Sequence, residues 1–457
     1  MGRSVHETPL RFNSLLKKVH LALARPGVSF RADAIQSSYA RQMDDGVVLG
    51  TVGSSRPVHQ PFKTPPVRQS WILLRVLFLL FLLLLPAPAG SGQTRDDLPL
   101  FNDDLDRESL RGAVQRSLEF LAKLPPDRSI GEQPRKITAA EVKESLIAFL
   151  SLLDLWDQPD KLNEEIRSRF ELYPMSDAAE GDALFTGYYR PLIEGRLTET
   201  AEYRYPIYRR PDDLVEMEPG SVLPQLRGEK VVGRLEENHL VPYPSRYEID
   251  ALGRLKGKGY EIAWVKDPVD LFFLHIQGSG IMRLEDGGQV QLNYAASNGR
   301  PYKSIGRLLV DGGKISEEEV SMQRLRRYLA ERPEERDALF AQNESYVFFR
   351  FVNNGPLGSL EVPLTPGRSI ATDSRLFPKG ALAFVVSRRP VLDATGNLTG
   401  WQSFSRFVLN QDTGSAIRGP KRVDLYFGSG HEAGLAAGFM KSNGMIYFLI
   451  QKKGTGR

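Results

Sequence analysis

The 457 residues include no cysteine, which excludes disulfides, thiolate metal sites and a lipid-modified cysteine. Histidine is scarce and scattered: His6, His20, His59, His239, His275 and His431 never take the spacing of a metal-binding helix. They read as surface or hydrogen-bonded side chains. No Gly-x-x-x-x-Gly-Lys-Ser/Thr phosphate loop is present, and Gly428-Ser-Gly430 lacks the third glycine of a dinucleotide loop. Neither a metal nor a cofactor is therefore expected. Most of the chain also lacks basic excess, although the pI is near 9.0. Residues 1–92 hold 11 Lys+Arg against 4 Asp+Glu, leaving 49 basic and 52 acidic side chains in the remainder. A body with a net charge of −3 is not a nucleic-acid binder.

A long apolar span is missing too. Ile72 to Leu85, interrupted by Arg75, is short for the roughly 20 residues that cross a bilayer. Arg68 precedes this run and Ala87-Pro88-Ala89 follows it, in the charged, apolar, small order of a secretory signal peptide. Export to the periplasm is expected, with the mature chain beginning near Gly90. Residues 1–66 form a polar extension ahead of the signal, which points to a translation start downstream, near Val67.

The exported part starts as helix. Leu110, Val114, Leu118 and Leu121 recur at helical spacing, Thr138 and Glu141 form a capping box, and Leu162, Ile166 and Phe170 mark a third helix. After Gly181 short aromatic and β-branched runs broken by Gly and Pro read as strands, among them "ALFTGYYRPLIEG" and "LFFLHIQGSGIMRLEDGGQVQLNYAA". A helical stretch over 317–342, capped by Ser316, is followed by six strand candidates, including "LEVPLTPGRSIATD", "RFVLNQD" and "VDLYFG". The pattern predicts a mainly β protein with N-terminal helices and two β-rich lobes.

Three aspartates stand out in the last lobe. Asp373 and Asp412 precede Ser or Thr, where Asp commonly caps turns. Asp424 sits among Val423, Leu425, Tyr426 and Phe427; on strand alternation it faces away from Val423 and Leu425, either into water or into a site. Partial burial would raise its pKa and suit it to general-acid work on a glycosidic oxygen. Tyr188, Tyr189, Gln277, Ser279 and Tyr294 are of the types that bind sugars, and equally of the types that pack or turn.

Five segments taken together, "FTGYYRPLIEG", "FFLHIQGSGIMRLEDG", "NYAASNGRPYKSIG", "PLTPGRSIATD" and "QDTGSAIRGPKRVDLYFGSGHEAG", resemble the membrane-bound lytic murein transglycosylase A family from about Phe185 to Leu449. The resemblance implies a double-psi β-barrel domain, an inserted smaller β-domain and a glycan groove between them. Its domain limits would be an extension and signal over 1–89, a helical segment leading into the barrel over 90–190, the insert over 191–345 and the rest of the barrel, with a three-aspartate region, over 346–457. It implies non-hydrolytic cleavage of the MurNAc-β-1,4-GlcNAc bond of peptidoglycan to a 1,6-anhydro-MurNAc end. Asp424 would be the acid/base, Asp412 a second catalytic aspartate and Asp373 a support, with Thr186, Gly187, Tyr188, Gln277, Ser279, Tyr294 and Gly414 toward the glycan. The partners implied are glycan strands, the outer membrane and other cell-wall enzymes, met by a monomer. Typical members are lipoproteins tethered through a cysteine, which this chain lacks. Two other readings of the same residues stay open: a hydrolase using Asp412 and Asp424, and a non-catalytic glycan-binding barrel.

Overall fold

A computed structural model describes residues 99–175, 182–226, 229–353, 355–414 and 416–454. The expected signal peptide lies outside the described residues. Among them, no helix is long and apolar enough to cross a membrane.

The three N-terminal helices form where their caps and periodicity place them. α1 (Arg107–Leu121) starts at Asp106, which accepts from Ser109 N–H, and it buries Leu110, Val114 and Leu121. A hairpin of β1 (Ser129–Gly131) and β2 (Ile137–Thr138) leads into α2 (Ala139–Leu152), whose start is the Thr138–Glu141 capping box. α3 (Pro159–Arg169) buries Leu162 and Ile166, while Phe170 already begins a strand.

The chain then builds two large strand systems, a seven-stranded sheet and a six-stranded one. β3 (Phe170–Pro174) and β4 (Ala183–Arg190) belong to the first. β5 (Leu192–Arg196) and β6 (Tyr205–Tyr208) open the second. A small sheet of β7 (Leu214–Met217), β8 (Val231–Glu236) and β9 (His239–Pro242) follows, then α4 (Arg246–Asp250). The second sheet is completed by β10 (Glu261–Val265), β11 (Ser279–Arg283), β12 (Gln289–Ser297) and β13 (Val347–Val352). Between these strands run α5 (Pro268–Gln277), α6 (Ile305–Asp311), α7 (Met322–Glu331) and α8 (Pro333–Gln342), which share a core of Phe272, Ile305, Leu329 and Phe340. β14 (Ser369–Ala371), β15 (Leu382–Leu392), β16 (Leu398–Asp412), β17 (Arg422–Ser429) and β18 (Lys441–Gln451) return to the first sheet, with α9 (Gly430–Phe439) before the last strand.

The first sheet runs β15-β16-β14-β17-β4-β18 and closes where β18 pairs back onto β15, with β3 appended to β18. Two of its pairings, β14 with β16 and β17 with β4, are parallel. This closed barrel is the mainly β architecture expected. The second sheet runs β13-β12-β11-β5-β10-β6, and a bridge between Arg209 and Phe349 brings its two edges together.

The N-terminal helices are part of the barrel's core. Phe149 of α2 packs on Phe407 of β16 with ring centroids 4.8 Å apart. Arg368 is fully buried and ties the two together: it donates to Asp103 Oδ2 at 2.5 Å and to the carbonyls of Asp106 and Phe407. A buried guanidinium is tolerable only when it is paired and bonded in this way.

Three local expectations are corrected. "LFFLHIQ" is not a strand but most of α5, because Asp267 caps the turn, Pro268 suits its first position and Gly278, at φ +74°, ends it. Ser316 does not cap the later helix; Ser321 does, and Pro333 starts a separate one. In "LEVPLTPGRSIATD" only Ser369–Ala371 is strand.

Candidate functional site

β17 shows why a carboxylate can interrupt an oily strand. Val423 and Leu425 point into the barrel core and are buried, whereas Asp424 points the other way with 18% of its side chain exposed. The register then lines up four strands. Asp424 lies opposite Thr186 of β4 on one side and Ala371 of β14 on the other, and Ala371 in turn lies opposite Asp412 of β16. With strands about 4.8 Å apart, the backbones of the two aspartates stand roughly 10 Å apart across Ala371. One row thus holds Thr186, Asp424, Ala371 and Asp412.

Each carboxylate has its own donors. Thr186 Oγ1 donates to Asp424 Oδ1, and Arg422 Nε reaches the same oxygen at 3.4 Å. No described residue donates to Asp424 Oδ2. Asp412 Oδ1 accepts from the N–H groups of Ser359 at 2.9 Å and Thr413 at 2.8 Å, and its Oδ2 accepts from Tyr188 at 3.0 Å. Burial raises Asp412 to about 6, more than these neutral donors lower it, and Asp424 adds to the rise. The pushed-up carboxyl is Asp412.

Asp373 lies apart from the row. It is fully buried and accepts from Arg375 Nε and Nη2, from Arg375 N–H and from Gly419 N–H. Burial alone would raise it, but these bonds and the Arg375 charge outweigh burial and lower it to about 2. It fastens the loop after β16 to the turn after β14.

The remaining sequence candidates divide by location. Tyr188 packs its ring, tilted by 44°, at 5.2 Å against Tyr426, its register partner, and joins the row. Gly187 lets α9 approach β4: a Cβ there would stand 2.8 Å from Ala437 Cα. Gln277, at the end of α5, accepts from Tyr189 N–H at 3.0 Å and so holds the second lobe against β4. Ser279 and Tyr294 lie on β11 and β12, away from the row, with Tyr294 45% exposed. Gly414 sits in the loop after Asp412, against Ile417.

Sequence reasoning passed over three residues here. Arg422 bonds both Asp424 and Thr186. Tyr302, half-buried in the loop after β12, feels the charges of Arg422 and Asp424. Arg190 donates to Ser429 Oγ and to Gln291 Oε1, joining the barrel to the second sheet. The signal for Arg422 was available: it lies two residues before Asp424, hence on the same strand face.

Residues 184–350 match the family model described as MltA specific insert domain, and residues 368–450 match the 3D domain. The chain is 36% identical to the membrane-bound lytic murein transglycosylase A of Escherichia coli over 279 residues, 60% of this chain and 68% of that protein. Its similarity to the Vibrio cholerae protein of the same name is 30% identity over 273 residues, 59% of this chain and 66% of the relative. The crystal structure of membrane-bound lytic murein transglycosylase from Agrobacterium tumefaciens is similar with a TM-score of 0.63 and 34% identity, covering 76% of this chain and 93% of that one. E. coli MltA with bound chitohexaose is similar with a TM-score of 0.56 and 27% identity, covering 74% and 89%.

Proposed function

Since the chain belongs to the membrane-bound lytic murein transglycosylase A family, we propose that this peptidoglycan lytic transglycosylase cleaves the MurNAc-β-1,4-GlcNAc bond without water and leaves a 1,6-anhydro-MurNAc end. Its workplace is the periplasm. The observation that carries the mechanism is the placement of Asp424, alternating out of a core strand into a row of polar side chains with one carboxyl oxygen bonded and the other open.

Asp424 serves as both acid and base. Its Oδ2 proton passes to the glycosidic oxygen as the bond from that oxygen to C1 of MurNAc breaks. The C6 hydroxyl of the same sugar then attacks C1, and Oδ2 takes up the hydroxyl proton. One carboxyl group suffices because the nucleophile is the sugar's own hydroxyl, whereas hydrolysis needs a second group on the opposite face. Asp412, mostly ionised above about pH 6, supplies negative charge beside the positive charge that develops at C1. Tyr188 orients it. The glycan lies along the groove, with Gln277, Ser279, Tyr294 and Gly414 among the residues lining it.

The elevated Asp412 favours one second reading, a hydrolase in which Asp412 is the acid and Asp424 its partner. Asp424→Asn tests the first. It keeps the shape but cannot exchange the proton, so turnover of peptidoglycan should fall by at least about 10²–10⁴-fold while chitohexaose binding persists. Full activity in that variant would move the acid/base elsewhere. Cleavage absent in wild type, with binding intact, would favour a binding barrel.

A further inference from the structure

We infer that Arg422 is a positioning residue for the reaction, fixing the Asp424 carboxyl so that Oδ2 alone exchanges protons with the glycan; this rests on Asp424 being the acid/base. Arg422 Nε meets Asp424 Oδ1 at 3.4 Å and its Nη2 donates to Thr186 Oγ1 at 3.2 Å, while Thr186 Oγ1 donates to the same Oδ1. The three side chains close a triangle on one oxygen. A carboxylate oxygen already taking two donors is a poor place for a proton, so the proton is carried on Oδ2. The terminal torsion of Asp is otherwise broad, and a free carboxyl would present either oxygen. Two anchors that brace one another, set 236 residues apart in sequence, remove that freedom.

The surroundings leave this role to Arg422. Facing Asp424 are Tyr426 on its own strand, Thr186 and Tyr188 on β4, Asp412 across Ala371, and Tyr302 from the second lobe. Lys441, next in register beyond Thr186, stands 4.0 Å from Glu317. Among the described residues, Arg422 is therefore the one cation paired with Asp424. With 34% of its side chain exposed, it lies at the surface of the row, where an arriving glycan meets it.

The test compares wild type, Arg422→Lys, Arg422→Gln and Asp424→Asn on soluble peptidoglycan glycan strands, measuring kcat and KM from pH 4 to 9. Arg422→Gln should lower kcat about 10- to 100-fold with KM nearly unchanged, as expected for a misaimed catalytic group. Removing a contacting cation favours the protonated carboxyl, so the alkaline arm of its pH–rate profile should move up by about one unit. Arg422→Lys keeps the charge but not the fork, so it should keep the arm in place and recover part of kcat. A wild-type kcat and profile in Arg422→Gln, or a change confined to KM, would overturn the inference. If Arg422→Gln fails to fold, an Arg422→Lys protein with wild-type kcat does the same. Asp424→Asn separates the levels: an inactive Asp424→Asn beside an unaffected Arg422→Gln removes Arg422 alone, and an active Asp424→Asn removes both.

Discussion

Asp373 and Asp412 each sit at the end of a barrel strand and accept backbone N–H bonds, yet one is lowered to about 2 and the other pushed up to about 6. Burial acts in the same direction on both. What differs is the charge of the remaining donor: Arg375 brings a cation to Asp373, while Tyr188 brings a neutral hydroxyl to Asp412, and Asp424 adds a like charge nearby. Three aspartates close in sequence thus divide into a structural anion, Asp373, and the pair proposed to act on the glycan, Asp412 and Asp424. The comparison shows that a neighbouring cation can outweigh a burial that neutral donors leave in control.

The largest effect on stability should come from the anion. Asp373 is held below its unfolded value, so its contribution is complete above about pH 4 and is lost as pH falls toward 2. Asp373→Asn should cost about 1–2 kcal/mol at pH 7, allowing for screening of its partly exposed partner Arg375, and roughly half of that at pH 3. Urea unfolding of both proteins at the two pH values measures the gap. A gap unchanged at pH 3 would trace it to packing.

Asp412 carries the opposite sign. Raised above its unfolded value, it costs the folded state increasingly as pH climbs from about 4 to 6. Asp412→Asn should therefore stabilise the protein at pH 7.5 by about 1 kcal/mol, net of weakened hydrogen bonds, with the gain fading by pH 4. Its turnover should fall, but less than that of Asp424→Asn. A destabilised variant at pH 7.5 would mean that the bonds from Ser359 and Thr413 outweigh the burial of charge.

The smallest change sharpens the contrast. Tyr188→Phe removes the hydroxyl that helps lower Asp412, so the Asp412 titration should move further above 6 by less than about one unit. Carboxyl-carbon NMR of labelled aspartate would follow it. A downward movement would show that Tyr188 acts on Asp412 by burying it.

Much of this was written in the chain. Alternation alone turned Asp424 away from Val423 and Leu425, and the Thr138–Glu141 box placed the start of a helix. The five motifs, in order, carried the family and with it the barrel. What escaped notice depended on pairings between distant segments. Thr186 meets Asp424 across 238 residues because β4 runs parallel to β17, which no local pattern announces. Leu271 to Gln277 looks like a strand in isolation, and its caps at Asp267 and Gly278 make it a helix. α9, whose Gly434 clears the Tyr189 ring, has too few large apolar residues for a helical stripe to show. The rise at Asp412 was not foreseen, because its burial and its donors from Tyr188 and Ser359 come from distant segments that meet only once the barrel closes.

The central claim is that one carboxyl and the sugar's own hydroxyl do the cutting. Mass analysis of muropeptides released from purified sacculi by the wild-type protein tests it most directly. Products one water lighter than hydrolysis products, with no end reducible by borohydride, are the predicted result. Reducible ends of full hydrolytic mass would contradict it and give the pair Asp412 and Asp424 to a hydrolase.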